Sequence, residues 1–166
     1  RVGECLVDGV MAGAFALQPP DTRTMAMAGR SRPAMGDWDG DGDLDLFIGG
    51  EGGPSADSGQ GGAMRVYENA GSPVVLNLVD RTTNFAAMAA LCSGLGCPAP
   101  ALGDWNGDGV ADLAVGGDTG AIRLAASTTN FLNPQNPPWT YTLDVGGTSA
   151  LPAFAEINGD GLQDLL

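Results

Sequence analysis

The sequence contains no lysine and no histidine, and all seven of its basic residues are arginine. Without histidine the chain lacks the commonest general base, cannot form a Ser-His-Asp triad and offers no imidazole to a metal. Without lysine it cannot form a Schiff base with a substrate. No catalytic constellation remains apart from carboxylates, so we expect a protein that is not an enzyme.

The sequence also lacks a long apolar run and a positive net charge. No apolar segment reaches the ~20 residues that a helix needs to cross a bilayer, so membrane insertion is not expected. The net charge of −13 argues against nucleic acid and anionic membrane surfaces as partners. By contrast, the chain has 27 glycines and 11 prolines, which is typical of many short elements joined by turns.

Much of the acidity is concentrated in three short loops that share one spacing. The first reads GDWDGDGDLDLFIGG from Gly36 to Gly50, the second GDWNGDGVADLAVGG from Gly103 to Gly117, and the third AEINGDGLQDLL from Ala155 to Leu166. Each loop has an acid at position one, Asp or Asn at three, Asp at five, Gly at six and Asp at nine. These loops hold 11 of the 20 acidic residues. A solvated acidic surface has no reason to repeat such a spacing, whereas a metal-binding loop does.

The first loop shows why this spacing suits a cation. Asp37, Asp39 and Asp41 alternate along the chain, so their side chains can turn toward one ion, and Gly42 permits the sharp bend that follows. The main-chain carbonyl of Asp43 then points inward, and Asp45 closes the cage. Flexible coordination by oxygen alone is typical of Ca²⁺, whereas Mg²⁺ requires a stricter octahedron and softer metals prefer His or Cys.

An EF-hand begins in the same way but ends differently. It needs a bidentate Glu at position twelve and a helix on each side. Position twelve is Ile48 in the first loop and Val115 in the second, and the flanking segments have the pattern of strands. The sequence therefore disfavours an EF-hand or a dockerin.

These residues resemble the FG-GAP repeat, and the related VCBS-like repeat, of integrin α-type β-propellers. The resemblance lies in GDWNGDGVADLAVGG and in the stretch that leads to it from MRVYENAGSP, and it covers most of residues 29–166. It implies an all-β fold, β-propeller-type blades of four antiparallel strands, and Ca²⁺ in each acidic loop, about three sites in all. At position seven the implied ligand is the main-chain carbonyl, and at the other positions it is the side chain. By position, the implied ligands are Asp37, Asp39, Asp41, Asp43 and Asp45 in the first loop, Asp104, Asn106, Asp108, Val110 and Asp112 in the second, and Glu156, Asn158, Asp160, Leu162 and Asp164 in the third.

The same resemblance predicts one repeat domain over residues 1–166. Its units are a partial blade (1–36), two blades (37–103 and 104–155) and the start of a further blade (156–166). Each acidic loop is expected to join the last strand of one unit to the first strand of the next, so that Ca²⁺ clamps loops between blades. Propellers have about four to eight blades, so we expect a partial or open propeller in this chain.

The chain departs from the family pattern in two respects. The family's Gly-Ala-Pro after the loop strand is replaced by the pairs Gly49-Gly50 and Gly116-Gly117. At position one of the third loop, Glu156 is one methylene longer than the aspartates of the other loops. We therefore expect the third site to be distorted or weaker.

The cysteines allow two interpretations. Cys92 and Cys97 bracket the segment SGLG, which predicts a short disulfide, with two buried thiols as the alternative. A bridge would indicate an oxidising compartment, in agreement with Ca²⁺, which is abundant outside cells. Cys5 is left over.

Two further pairs of residues carry weaker expectations. Trp38 and Trp105 occupy the same loop position, which predicts packing between blades, with a sugar-stacking surface as the alternative. Arg30 and Arg32 are expected to be a solvated pair, with binding of an acidic partner as the alternative.

The sequence thus favours an extracellular or cell-surface calcium-binding module with a structural or adhesive role. One alternative is a subunit of an extracellular filament or homopolymer that assembles through open sheet edges. Another is a glycan-binding propeller lectin. The expected partners are accordingly other protein chains, the rest of a longer polypeptide, further copies in a homo-oligomer or filament, or glycans.

Overall fold

The computed structural model describes residues 29–51, 62–72, 75–84, 91–126 and 139–166. Within these residues the chain is mainly β-structure, with one turn of 3-10 helix at Thr82–Asn84 and α-helical residues at Leu91 and Cys92. No helix in this part of the chain is long and apolar enough to cross a membrane. The predicted partial blade falls mostly on residues outside the description, as does Cys5. The strands are β1 (Gly29–Gly36), β2 (Asp45–Glu51), β3 (Ala63–Asn69), β4 (Leu78–Asp80), β5 (Ala99–Gly103), β6 (Asp112–Gly116), β7 (Ala121–Ala126), β8 (Trp139–Asp144), β9 (Phe154–Ala155) and β10 (Asp164–Leu165).

The strands form three antiparallel sheets in chain order. The first sheet contains β1 to β4, the second contains β5 to β8, and the third contains β9 and β10. Neighbours in sequence are neighbours in space, so each sheet is a simple meander. None of the described sheets closes into a barrel. The predicted fold class, all-β with four-stranded antiparallel blades in an open, partial propeller, is therefore confirmed.

Each acidic loop lies within a sheet and joins its first two strands. Gly36 pairs with Asp45 across β1 and β2, and Gly103 pairs with Asp112 across β5 and β6. The third loop joins β9 and β10 in the same way. The expectation that each loop connects two units was wrong, because the Asp-Gly sequences reverse the chain and the strands on either side pair as a hairpin. The expected unit boundaries before residues 37, 104 and 156 therefore fall inside sheets.

The main hydrophobic cluster lies between the first and second sheets. Phe47 and Val66 of the first sheet are buried against Leu113 and Val115 of the second. The segment before β5 contributes Leu95, which is fully buried in the same cluster. The two sheets are thus held face to face mainly by the removal of apolar surface from water.

A second, smaller cluster lies on the other face of the second sheet. Successive side chains of a strand point to opposite faces, so Ala114 points away from Leu113 and joins this cluster with Leu124. Phe154 of β9 and Leu165 of β10 pack against it. The second sheet is therefore covered on both faces, as expected for neighbouring blades of a propeller.

Gly49 in β2 and Gly116 in β6 lie against the main chain of a neighbouring segment. A Cβ atom added at Gly49 would collide with the main-chain oxygen of Pro98, and one added at Gly116 would collide with that of Ala150. Gly49 and Gly116 occupy the same position relative to their loops, so the contact recurs after the first and second loops. A side chain at either glycine would push its strand away from that segment.

Cys92 and Cys97 are both buried free thiols in the structure, so the predicted disulfide is not formed. Cys92 belongs to the main hydrophobic cluster, and burial raises the pKa of its thiol to about 12. The Sγ atom of Cys97 instead donates a hydrogen bond of 3.3 Å to the carbonyl of Arg30 in β1. Although the two cysteines are close in sequence, their thiols pack against different neighbours in the structure.

The two arginines of β1 connect the first sheet to the turn between β6 and β7. Arg32 donates through Nη2 to Asp118 Oδ1 at 3.1 Å, and Arg30 Nη2 lies 3.0 Å from Asp118 Oδ2. Arg32 also donates through Nη1 to the carbonyl of Cys97. The expectation of a solvated pair was wrong for Arg32, whose side chain is 22% exposed, whereas the Arg30 side chain is 57% exposed and solvated in part. Both guanidinium groups share the carboxylate of Asp118.

Candidate metal centre

The first acidic loop brings three carboxylates together. One oxygen from each of Asp37, Asp39 and Asp45 lies within 4.8 Å of the others. At such separations two like charges repel each other by roughly 3 kcal/mol at the effective dielectric of a protein surface. These oxygens surround a space that favours a cation.

Asp45 anchors this cluster because it is both in the loop and in the sheet. It is fully buried at the start of β2. Its Oδ2 accepts a hydrogen bond of 3.1 Å from the main-chain N–H of Trp38, and its Oδ1 accepts one of 2.8 Å from that of Asn69. Burial raises the pKa of Asp45 to about 6, although these two hydrogen bonds act in the opposite direction.

Asp37 holds the turn of the loop. Its two oxygens accept hydrogen bonds from the N–H groups of Gly40 at 2.8 Å and Gly42 at 3.0 Å. Both glycines have positive φ angles, 78° and 92°, which L side chains rarely adopt. The backbone therefore wraps around the carboxylate of position one, and this explains the glycine at position six.

The remaining acids of the first loop make short local turns. Asp39 accepts a hydrogen bond from the N–H of Asp41 at 3.2 Å, and Asp41 accepts one from that of Asp43 at 3.0 Å. Burial raises the pKa of Asp39 and that of Asp43, and the charge of Asp41 raises both further. In the described part of the chain no arginine forms an ion pair with these carboxylates. The loop thus concentrates negative charge that no ion pair among the described residues compensates.

The second loop repeats the same hydrogen bonds. Asp112, fully buried at the start of β6, accepts from the N–H of Trp105 at 2.9 Å. Asp104 accepts from the N–H groups of Gly107 at 2.8 Å and Gly109 at 2.9 Å. The turns at positions three and five are formed by Asn106 and Asp108, which accept from the N–H groups of Asp108 and Val110 at 2.9 Å each.

The third loop keeps most of this pattern and loses part of it. Asp164 accepts from the N–H of Ile157 at 3.1 Å, Asn158 from that of Asp160 at 2.9 Å, and Asp160 from that of Leu162 at 2.8 Å. Glu156 uses one oxygen, Oε1, for two nearby N–H groups. The whole loop is more exposed than the first. The longer side chain changes how position one is held, as the sequence suggested.

The three loops differ in the residue at position three. Among the described residues, the only group of three acids with oxygens within 4.8 Å of one another is at positions one, three and nine of the first loop. The other acids of the first loop, Asp41 and Asp43, lie outside that group. Position three is Asn106 in the second loop and Asn158 in the third, so three carboxylates cannot meet at these positions there.

The donors present in the first loop fit a hard cation. All of them are oxygens, which suits Ca²⁺ better than a metal that prefers nitrogen or sulfur. In addition, Oδ1 of Asp43 is buried and has no hydrogen-bond partner among the described residues. A bound cation would supply the positive charge that this set of carboxylates lacks.

Two residues that support the first site escaped the sequence analysis or were left open by it. Asn69 lies at the end of β3 and is buried, and a polar residue at the end of the alternating segment AMRVYEN was the only sequence signal for it. Trp38 is 1% exposed and packs with its ring edge against Phe47, with the ring centroids 6.3 Å apart. Trp105 is 38% exposed, so the predicted packing between sheets holds for Trp38 alone.

Comparison with known proteins gives one family. The chain matches the FG-GAP-like repeat over residues 37–115 and again over residues 104–166. Together the two matches include all three acidic loops and more than half of the chain. No curated protein and no solved structure gives a significant match.

Proposed function

Because the chain belongs to the FG-GAP-like repeat family, we propose that it is an extracellular, calcium-binding, propeller-type module with a structural or adhesive role. One observation carries the proposal: the oxygens of Asp37, Asp39 and Asp45 lie within 4.8 Å of one another. The repeated hydrogen bonds in the other two loops support one Ca²⁺ in each loop.

The proposed role of the cation is to hold a hairpin, not to clamp two blades. Each loop joins the first two strands of one sheet, so a cation there fixes the turn between them. When bound, Ca²⁺ supplies the positive charge that offsets the repulsion among the carboxylates. Asp45 and Asp112 would transmit this effect to the sheets, because both are ligand candidates and the first residues of their strands.

Binding of Ca²⁺ to the folded state alone would raise its stability. At a free concentration a hundred times the dissociation constant, one site contributes about 2.7 kcal/mol. We expect the melting temperature to fall sharply in EDTA and to recover when Ca²⁺ is restored in excess. The measurement is thermal unfolding followed by circular dichroism, with Mg²⁺ at the same concentration as the control. A melting temperature that changes neither in EDTA nor on addition of Ca²⁺ would count against the proposal.

A second candidate function, assembly with further repeat units, is favoured by an exposed apolar surface. Trp105 contacts Tyr141 with the ring centroids 6.0 Å apart, yet Tyr141 is 50% exposed and nearby Leu143 is 43% exposed. The equivalent tryptophan of the first loop, Trp38, is covered by the neighbouring sheet. We therefore favour a protein partner, a further repeat of the same kind, over a glycan on this surface.

The assembly proposal predicts self-association that depends on this surface. Sedimentation equilibrium in Ca²⁺ should give a mass above that of one chain, and Tyr141→Asp should return it to that of one chain. Thr142→Asp, at an exposed position next to it, serves as the matched control. A compact monomer with and without Ca²⁺ at all concentrations would contradict self-assembly.

A further inference from the structure

Position seven distinguishes the first acidic loop from the other two. It holds Asp43 in the first loop, Val110 in the second and Leu162 in the third. The family pattern requires only the main-chain carbonyl at this position, so an apolar side chain is sufficient there. An aspartate at this position therefore needs a separate explanation.

The Asp43 side chain is buried in a way that is costly for a carboxylate. The residue is 4% exposed, and its Oδ1 has no hydrogen-bond partner in the described part of the chain. Enclosing a charged group without a partner is strongly unfavourable. A buried carboxylate whose Oδ1 has no such partner indicates that a bound ligand supplies positive charge to it.

The charged groups that act on Asp43 are acidic. Burial raises the pKa of its carboxyl, and the charges of Asp41, Asp37 and Glu68 raise it further. Arg81 is paired with Glu68, with Nε 2.6 Å from Oε2, and no arginine among the described residues forms an ion pair with Asp43. The part of the chain that the structure describes therefore supplies no cation to this side chain.

We propose that the carboxylate of Asp43, which lies outside the group formed by Asp37, Asp39 and Asp45 in this structure, turns toward the cation of the first loop when the cation binds and ligates it directly, in addition to the main-chain carbonyl of the same residue. This inference rests on the proposed function. With Asp43, the first loop offers five carboxylates to its cation, whereas the second and third loops offer three each. Because ligand charge increases the affinity of oxygen sites for Ca²⁺, the first loop is the tightest of the three and the one that gains most from a trivalent ion.

Terbium luminescence can measure the first and second loops separately. The main-chain N–H of Trp38 lies 3.1 Å from a ligand candidate of the first loop, and that of Trp105 lies 2.9 Å from one of the second. With Trp105→Phe and Trp139→Phe, Trp38 is the one tryptophan left and sensitises Tb³⁺ in the first loop. With Trp38→Phe and Trp139→Phe, Trp105 reports on the second loop. Each protein is stripped with EDTA, exchanged into chelator-free buffer and titrated with Tb³⁺.

The test variant Asp43→Val copies the second loop. We expect it to lower the Tb³⁺ affinity of the first loop about tenfold and to leave that of the second loop unchanged. Asp43→Asn, which keeps an oxygen but not the charge, should lower it less. In EDTA, Asp43→Val should melt at a higher temperature than the unmodified protein, since a buried charge is removed. Its gain in melting temperature on addition of Ca²⁺ should be smaller.

The reciprocal variant Val110→Asp tests the same inference at the second loop, so the test remains possible if Asp43→Val does not fold. It should raise the Tb³⁺ affinity of the second loop several-fold. Unchanged affinity of the first loop in Asp43→Val, or of the second loop in Val110→Asp, overturns the inference while leaving the proposed function intact. If the unmodified protein binds neither Tb³⁺ nor Ca²⁺ in a saturable manner, the proposed function fails and the inference fails with it.

Discussion

Oδ1 of Asp45 accepts a hydrogen bond of 2.8 Å from the main-chain N–H of Asn69, so the last acid of the first loop is joined to the end of β3. The Oδ1 of Asn69 in turn accepts one of 2.8 Å from the N–H of Asn77, across the turn that leads to β4. The candidate cation site and the β3–β4 hairpin therefore form one hydrogen-bonded unit.

The first prediction follows from this connection. Asn69→Ala removes the buried amide that orders the hairpin, and we expect a loss of about 1–2 kcal/mol in the free energy of unfolding. Alanine keeps the main-chain N–H that donates to Asp45, so any fall in the Tb³⁺ affinity of the first loop arises from the loss of order in the hairpin, and we expect a small but measurable fall. Urea unfolding and luminescence titration measure the two effects.

The matched control is Asn77→Ala, since Asn77 is exposed and its amide makes one long contact of 3.5 Å with the carbonyl of Ala70. It should change stability by less than about 0.5 kcal/mol. If Asn69→Ala lost stability but kept full cation affinity, the hairpin and the site would be independent.

The second prediction compares the two loop tryptophans. Trp38 is 1% exposed in the main hydrophobic cluster, whereas Trp105 is 38% exposed. Trp38→Ala should therefore cost about 3–5 kcal/mol of unfolding free energy, and Trp105→Ala about 1 kcal/mol or less. Chemical denaturation in excess Ca²⁺ checks both values. Equal losses for the two variants would show that Trp38 is not the packing residue between sheets.

The third prediction concerns the close approach of β2 to the main chain of Pro98, just before β5, at Gly49. A methyl group there would collide with the main-chain oxygen of Pro98, and overpacking of this kind costs about 1–3 kcal/mol. Gly49→Ala should lower the urea midpoint accordingly. Gly29→Ala is the control, because its Cβ would meet only the end of the Glu51 side chain, which can move away. Similar midpoints for the two variants would contradict the backbone contact.

The fourth prediction concerns acid sensitivity at Asp118. Burial alone would raise the pKa of this carboxyl, but the hydrogen bond from Arg32 and the charges of Arg30 and Arg32 lower it below its usual value. The ion pairs therefore contribute stability above the unfolded pKa of about 4, and this contribution is lost as the pH falls through the lower, folded pKa.

Urea midpoints measured in EDTA from neutral pH to about pH 2.5 test this dependence. Asp118→Asn should be less stable than the unmodified protein near neutral pH, and the difference should shrink in acid. A difference that stays constant or grows as the pH falls would rule out the ion pairs as its source.

Much of the fold could be predicted from short-range patterns. The alternation in AMRVYEN predicts a half-buried strand, and β3 covers these residues. The Asp-Gly spacing predicted the loops, and the repeated hydrogen bonds to positions one and nine show why the spacing recurs. Such features depend on residues that are close in sequence, so the sequence alone is sufficient to recognise them.

What could not be predicted depends on contacts between distant residues. The residue spacing within a loop does not show whether its flanking strands belong to one sheet or to two. The pairing of Gly36 with Asp45 places both strands in one sheet. Likewise, the partner of Arg32 is Asp118, 86 residues away. The burial of Asp43 was hidden for the same reason, because an acidic run gives no sign of which side chain faces inward.

The most direct test of calcium binding is a calorimetric titration of Ca²⁺ into the chelator-stripped protein. The proposal predicts saturable binding that approaches one Ca²⁺ for each acidic loop, with the tightest step abolished by Asp37→Asn together with Asp45→Asn. A stripped and folded protein that takes up no Ca²⁺ in this titration would contradict it.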